Sequence, residues 1–310
     1  MLAVQEALEN GRLGGVLARS LGSAWARLAT PRLEKRLVVP TNVKSVAIGG
    51  VTLGGSGKTP FAIAYAKRAA EGGKKVALVG HAHRARPGHA RVVAADDDVF
   101  VVGDEALVCA RELAGKVDVV VAPRRQDAID LAVARGADVI VLDGVHQIAP
   151  RRADVAILVV DPAASPTFAC PPAGDLRAPL AAMRALADFV VDIDAESEGA
   201  FAPDGSLVSW ELLRTRKMGL ALAVAHQERI VRRLARVGVV PVLTVGELDH
   251  RGHDLPRRLE RICRSRSDID AWLMTSKCAA FMRPEDRLSR RSVAPIHVIH
   301  HAVRIPRALP

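Results

Sequence analysis

One short segment combines a run of glycines with a lysine and a threonine, residue types that together hold phosphate groups. It reads Gly54-Gly55-Ser56-Gly57-Lys58-Thr59. Glycines let the backbone bend so that successive N–H groups point at one centre, and a following helix adds the positive end of its dipole. The lysine of such a loop reaches the β- and γ-phosphates of a nucleotide, and the threonine hydroxyl binds Mg²⁺. The segment predicts a P-loop, although Thr52 stands where the strict pattern has glycine.

A second candidate residue lies at the end of an apolar run. Residues 137–143 (ADVIVLD) have the composition of a buried strand and end in Asp143. A carboxylate at the carboxyl end of a strand near a P-loop can hold Mg²⁺ directly or through water. An acid there can also begin a turn and do nothing more. Together with the P-loop, Asp143 indicates a phosphohydrolase or phosphotransferase, but it does not identify the acceptor.

Short apolar runs alternate with helical stretches on both sides of these residues. We expect a strand over 44–50 before the P-loop and a helix over 60–70 after it, and the alternation continues to residue 193. This pattern predicts right-handed βαβ units and a mostly parallel sheet. We therefore predict an α/β fold, with a P-loop NTPase-like parallel-sheet domain and a second, smaller α/β domain.

The expected domain boundaries follow changes in composition. They are an N-terminal amphipathic basic helix region over 1–36, a P-loop kinase domain over 37–195, a linker over 196–217 and a second α/β domain over 218–310. The linker is expected because its residues are polar and include the turn sequence Pro203-Asp204-Gly205. Elsewhere the periodicity predicts a helix over 176–186 and a strand over 239–245.

The N-terminal region combines apolar residues at helical spacing with many arginines and lysines. The apolar positions are Leu13, Val16, Leu17, Leu21, Trp25 and Leu28. A basic amphipathic helix can lie in the headgroup layer of an anionic membrane, or it can pack on the body of the protein. The formal net charge of +10 over 310 residues fits an anionic partner or a solvated basic surface.

Several functional classes are disfavoured by composition. The sequence has no run of about 20 apolar residues, so we expect no spanning helix, and its first residues do not resemble a secretory signal. Its four cysteines are far apart, which favours reduced thiols over a zinc site. Tyrosine occurs once and no RNA-binding signature is present, so we expect no nucleic-acid partner.

Residues 46–69 (VAIGGVTLGGSGKTPFAIAYAKRA) resemble the tetraacyldisaccharide 4'-kinases, the lipid A 4'-kinase family. In that family Thr or Ser takes the first Walker position and proline follows the loop, so Thr52 and Pro60 both fit. The likeness continues along the chain with matching order and spacing. The further matching segments are Gly103-Asp104-Glu105, Asp143 with Gln147, residues 172–180, Glu228-Arg229, Asp249-His250, and Thr275 with Lys277.

The resemblance implies an activity and a set of site residues. The activity is transfer of the ATP γ-phosphate to the 4'-hydroxyl of a tetraacyldisaccharide 1-phosphate, at the cytoplasmic face of the bacterial inner membrane. By this resemblance Asp104 is the base that accepts the proton of the acceptor hydroxyl, His250 assists it, and Lys58 binds phosphate. Glu105, Asp143 and Thr59 would hold Mg²⁺. The expected ATP-binding residues are Thr52, Gly54, Gly55, Ser56, Gly57, Lys58 and Thr59.

The chain also departs from the family pattern. The family sequence Leu-Asp-Asp-Gly-Phe-Gln-His corresponds here to residues 142–147 (LDGVHQ), so one aspartate is missing. Gly80-His81-Ala82-His83 stands where the family has Ser-Arg-Gly-Tyr. Two alternatives therefore stay open. One is a kinase paralogue that uses another acceptor or binds nucleotide without transfer, and the other is a P-loop NTPase switch that binds nucleic acid or a protein.

Overall fold

In the computed structural model, the described residues are 15–82, 85–161, 169–193, 195–247, 252–282 and 294–310. The chain divides into two units. The first comprises Met1–Asp194 and Val303–Pro310, and the second comprises Ala195–Ala302. Each unit has its own sheet and its own apolar core.

The first unit carries the predicted P-loop. Its described helices are α1 (Val16–Ala29), α2 (Lys58–Glu71), α3 (Val99–Val102), α4 (Asp104–Glu112), α5 (Arg125–Ala134) and α6 (Leu180–Leu186). Its described strands are β1 (Glu34–Arg36), β2 (Lys44–Gly50), β3 (Val76–Val79), β4 (Arg91–Val92), β5 (Asp118–Val121), β6 (Val139–Asp143), β7 (Gln147–Ala149), β8 (Val155–Val160) and β9 (Phe189–Asp192).

The central sheet of this unit is the element that positions the site. Its described strands follow the order β4-β5-β3-β6-β2-β8-β9, and every neighbouring pair except β4 with β5 is parallel. Strand β2 lies between β6 and β8, with Ile48 opposite Asp143. Because parallel strands end at the same edge, the loop after β2 and the acid that ends β6 are neighbours.

The strands are buried because helices cover both faces of the sheet. Every residue of β3, β6 and β8 is buried, and valine, leucine and isoleucine predominate in them. Helix α2 packs on β3 and β6, with Phe61, Tyr65 and Ala66 among its buried side chains. Such continuous apolar runs are typical of parallel strands with both faces covered. The predicted α/β fold with a parallel sheet is confirmed.

Helix α1 has a small-residue face and a large apolar face. Ala18 and Gly22 are buried, and a methyl group on Gly22 would come 3.0 Å from the carbonyl oxygen of Cys170. The same helix exposes five large apolar side chains, those of Val16, Leu17, Leu21, Trp25 and Leu28. Over the described residues, no helix has the length and apolar character needed to cross a membrane.

The predicted helix over 176–186 begins later than expected. Helix α6 begins at Leu180, after Pro179, and Leu176 instead forms a bridge with Thr52. A residue that precedes proline is biased towards extended backbone, so Ala178 disfavours a helix that starts earlier. Sequence periodicity alone did not show that this segment pairs with the P-loop.

The second unit is a smaller α/β structure. Its described helices are α7 (Trp210–Leu213), α8 (Gln227–Arg236), α9 (Leu255–Ser265) and α10 (Ser276–Ala279). Its strands are β10 (Ala195–Glu196), β11 (Gly199–Phe201), β12 (Leu207–Ser209), β13 (Met218–Leu222), β14 (Leu243–Gly246), β15 (Ala271–Met274) and β16 (Ile296–Ile299), while β17 (Ala302–Val303) lies at the boundary of the units. The main sheet has the order β12-β11-β16-β15-β13-β14 over the described strands.

Two expectations for this part of the chain need correction. Residues 196–217, expected as a linker, contain the β11–β12 hairpin and α7, and β11 pairs with β16 in the main sheet. The turn at 203–205 therefore closes a hairpin between strands of the sheet. The strand expected over 239–245 begins only at Leu243, after Pro241, because proline lacks the N–H that a sheet ladder needs.

Candidate functional site

The predicted P-loop lies between β2 and α2 and is tightly folded. The Thr52 hydroxyl donates to the carbonyl of Gly54 at 2.6 Å, so this threonine holds the turn from within. Gly57 precedes α2 with a left-handed φ of 73°, and a methyl group there would come 2.9 Å from Cδ1 of Ile193. Both features restrict this position to glycine. The loop thus ends where the backbone N–H groups of the first turn of α2 begin.

A neighbouring segment pairs with the first half of the loop. The N–H of Leu53 donates to the carbonyl of Asp175 at 2.9 Å, and the N–H of Arg177 donates to the carbonyl of Val51 at 2.8 Å. These bonds fix the loop backbone from the side opposite β6. The 172–180 segment, which the resemblance singled out by its sequence, therefore also holds the P-loop in place.

Four of the predicted site residues meet at the start of α2. Nζ of Lys58 lies 3.5 Å from Oε1 of Glu105 and 3.4 Å from Oγ1 of Thr59. The Thr59 hydroxyl donates to Oδ2 of Asp143 at 2.8 Å. The structure therefore brings Lys58, Thr59, Glu105 and Asp143 together, in line with their positions at the ends of neighbouring strands and helices.

Asp143 has the electrostatic setting of a buried carboxylate. Burial raises its pKa, which Lys58, the Thr59 hydroxyl and Arg125 act to lower and Glu105 acts to raise, so that the net direction is upward. Its Oδ1 is buried and accepts no hydrogen bond from the described residues. This carboxylate lies beside the Thr59 hydroxyl and has a buried oxygen that accepts no hydrogen bond within the described part of the chain. Such a pair of oxygen ligands fits a divalent cation.

Asp104 is buried at the start of α4, immediately before Glu105. Its Oδ1 accepts the N–H of Glu105 at 2.9 Å, and only 4% of the residue is exposed. An acid in the first turn of a helix also interacts favourably with the helix dipole, so this position has a structural role as well. His250, the other acid–base residue expected from the resemblance, lies outside the described residues.

Two arginines near the carboxylates were not predicted as site residues. Nη2 of Arg125 donates to the backbone carbonyl of Asp143 at 3.0 Å. Burial lowers the pKa of Arg125 and of Arg177, while Asp143 and Glu105 act to raise both. The positive charge of these arginines offsets the negative charge of the Asp143 and Glu105 carboxylates. Arg177 lies in a segment that resembles the family, whereas Arg125 at the first position of α5 carried no signal in its spacing.

Comparison with known proteins agrees with this geometry. The family model described as tetraacyldisaccharide-1-P 4'-kinase (LpxK) matches residues 17–305. The chain belongs to this family. The family predicted from the P-loop and the segments that follow it is confirmed.

Two relatives named tetraacyldisaccharide 4'-kinase show how far the LpxK similarity extends. The Methylobacterium radiotolerans protein is 32% identical over 279 residues, which cover 85% of this chain and 83% of that protein. The Alcanivorax borkumensis protein is 33% identical over 186 residues, 59% of this chain. That second match spans 55% of the relative's own length.

A solved structure shows the same fold. The crystal structure of LpxK from Aquifex aeolicus in complex with ATP matches 93% of this chain and 94% of that chain, with a TM-score of 0.67 and 18% sequence identity. At this identity the match establishes the shared fold.

Proposed function

We propose that this protein transfers the γ-phosphate of ATP to the 4'-hydroxyl of a tetraacyldisaccharide 1-phosphate, a step in lipid A biosynthesis. The observation that carries the proposal is the cluster of Lys58, Thr59, Glu105 and Asp143 directly after a glycine loop. Family membership identifies the acceptor, because the family is named for its action on this lipid.

The nucleotide is held by the loop and by Lys58. The backbone N–H groups of residues 54–59 bind the phosphates, and the dipole of α2 adds to the attraction. Lys58 lies 3.5 Å from Glu105, and the side chains of this ion pair are 17% and 23% exposed. The ion pair with Glu105 thereby holds the Lys58 ammonium beside the loop until a phosphate of the nucleotide binds it and replaces part of the contact with Glu105.

The same residues would hold Mg²⁺. Thr59 Oγ1 and Asp143 Oδ2 lie 2.8 Å apart, and both are oxygen ligands of the kind that Mg²⁺ prefers. Mg²⁺ is usually bound by one or two such groups together with phosphate oxygens and water. When bound, the ion neutralises charge on the transferred phosphate.

The acceptor hydroxyl needs a base, since the pKa of a sugar hydroxyl is far above 7. Asp104 is the proposed base, because it is the buried carboxylate next in sequence to Glu105, which contacts Lys58. The proton of the 4'-hydroxyl passes to this carboxylate as the oxygen attacks the γ-phosphorus, and the bond from that phosphorus to the bridging oxygen of the β-phosphate breaks, so that ADP leaves. Arg125 and Arg177 supply positive charge near the carboxylates of Asp143 and Glu105.

We further propose that α1 contacts the cytoplasmic face of the inner membrane. Val16, Leu17 and Leu28 are 74%, 74% and 65% exposed on this helix, and arginines accompany them. Apolar side chains with flanking basic residues favour an anionic bilayer surface. The indole Nε1 of Trp25 donates to the carbonyl of Arg177 at 3.1 Å, so this helix is tied to the segment that pairs with the P-loop.

The activity is tested by transfer of labelled γ-phosphate from ATP to tetraacyldisaccharide 1-phosphate with Mg²⁺ and detergent. We expect label in the lipid with the native protein and with Lys67→Ala, an exposed lysine of α2, but not with Lys58→Ala. Binding of a fluorescent ATP analogue is measured in parallel. Native protein that binds the analogue but leaves the lipid unlabelled would overturn the proposal and favour a paralogue with another acceptor.

Membrane contact is tested by sedimentation with anionic phospholipid vesicles. The double variant Leu17→Asp, Leu28→Asp places two charges on the exposed face of α1 and should pellet far less than the native chain. Val240→Asp is the matched control, because Val240 is 75% exposed but lies in the second unit. Equal loss with both variants, or no loss with the double variant, would contradict contact through α1.

A further inference from the structure

His146 is a buried histidine in the turn between β6 and β7, three residues after Asp143. Only 5% of it is exposed. Its ring lies against Gly49, where an added methyl group would come 2.6 Å from Cδ2 of the imidazole. Its Nε2 lies 3.2 Å from the carbonyl oxygen of Gly50. Gly49 and Gly50 end β2, so the imidazole contacts the backbone that leads into the P-loop.

The other side of Gly50 faces the phosphate-binding residues. A methyl group on Gly50 would come 2.1 Å from Oγ of Ser56 and 3.4 Å from Cβ of Lys58. The backbone of Gly50 is therefore enclosed between the His146 imidazole and the side chains of the loop. Any shift of the Gly50 peptide changes where Ser56 and Lys58 lie relative to Asp143, which ends β6 immediately before the turn that contains His146.

The protonation state of the ring is set by its surroundings. Burial lowers the pKa of His146 to about 4, and the nearby charges of Arg177 and Lys35 act in the same direction, against the hydrogen bond to Gly50. The imidazole is therefore neutral near pH 7. Because the Gly50 carbonyl can only accept a hydrogen bond, Nε2 carries the proton and donates it.

We propose that His146 is a positioning residue for nucleotide binding, and that its Nε2–H fixes the Gly50 carbonyl and with it the placement of Ser56 and Lys58. The role rests on the proposed binding of ATP by the P-loop. It does not depend on the identity of the acceptor, and His146 itself touches neither the nucleotide nor the reacting atoms. The resemblance gave this position no role, because the family sequence has glutamine before histidine where this chain has His146 before Gln147.

Two near-isosteric variants separate the hydrogen bond from the packing. His146→Gln can place an amide N–H near the position of Nε2, whereas His146→Asn places one near Nδ1. Loss of one hydrogen bond to a loop backbone corresponds to a change of about 5-fold in binding. We expect His146→Asn to raise both the dissociation constant of MgATP and its KM by about 5-fold, with the KM for the lipid acceptor unchanged. His146→Gln should stay within about 2-fold of the native protein.

The MgATP dissociation constant, measured by calorimetry on the full chain, decides the result whether or not the lipid is phosphorylated. Equal weakening by both variants would overturn the proposal, since the ring would then act only by packing. Native affinity in both variants would overturn it as well. Failure of phosphotransfer with intact MgATP binding would count against the 4'-kinase activity and leave this comparison valid.

A measurement on the native protein covers the case in which a variant does not fold. The ¹⁵N chemical shifts of the imidazole distinguish the two neutral tautomers. We expect His146 to be protonated on Nε2 and to remain neutral between pH 7 and pH 5. A proton on Nδ1, or titration near pH 6.5, would show that the ring does not donate to Gly50 as proposed.

Discussion

The P-loop and the turn after β6 lie at the ends of neighbouring strands, yet they are built in different ways. The loop is shaped by its backbone: pairing with residues 175–177 and close packing at Gly50 and Gly57 leave little space for other residues. The turn and Asp143, the last residue of β6 before it, depend on single side-chain contacts: Asp143 contacts Thr59, and His146 contacts Gly50. By the resemblance in sequence, the loop fits the family pattern, whereas the turn lacks one aspartate of that pattern. A substitution in the loop should therefore disturb its backbone, whereas a substitution after β6 should remove a single contact.

The largest effect should come from Lys58, the loop residue whose side chain we propose to bind the phosphates. Lys58→Ala removes a positive charge that no other residue of the loop supplies, so we expect phosphotransfer to fall by at least about 1000-fold. The rate is measured with saturating Mg²⁺, and added Mg²⁺ should not restore it. Activity within about 10-fold of native would show that the loop works through its backbone alone.

At the end of β6, Asp143→Asn should have a smaller effect than Lys58→Ala, and the size of the effect should depend on the Mg²⁺ concentration. The substitution keeps the shape of the side chain but removes its charge, so Mg²⁺ binds more weakly and the rate falls by about 100-fold. Raising the Mg²⁺ concentration should recover part of the rate, in contrast to Lys58→Ala. If the rate of Asp143→Asn does not respond to Mg²⁺, Asp143 is not a metal ligand.

Backbone shape in the loop can be tested with two glycines at the ends of α2. Gly57 and Gly73 have similar left-handed φ angles of 73° and 79°, but a methyl group meets Ile193 only at Gly57. Alanine should cost about 1 kcal/mol of stability at either position. Only Gly57→Ala should also weaken MgATP binding, by about 10-fold, because the loop must shift to avoid Ile193. Equal affinities of the two variants would contradict a role for close packing in the loop.

The same contrast explains what could be predicted from the sequence. The P-loop, β2, β6 and Asp143 were predictable because glycine spacing and continuous apolar runs have few structural solutions. The pairing of Leu176 with Thr52 and the donor role of Arg125 were not, since both depend on contacts between segments distant in sequence. The β11–β12 hairpin was missed because its short strands, with polar flanks and a Pro-Asp-Gly turn, resemble a linker. The roles of Asp104 and His250 stay predictions.

The smallest expected effect is a pH dependence of stability that comes from His146. In the unfolded chain this histidine takes up a proton near pH 6.5, but in the folded protein its pKa is about 4. Unfolding therefore binds a proton between these values, and stability falls as the pH drops through 6.5 until it levels off below 4. From pH 7 to pH 5 the loss of stability attributable to this group is about 2 kcal/mol.

Urea unfolding of the native protein and of His146→Gln at both pH values isolates the contribution of His146, because the other buried histidines are common to the two chains. We expect the variant to lose less stability on acidification. An identical loss in both proteins would mean that the imidazole is protonated in the folded state and that the hydrogen bond to Gly50 does not require its neutral form.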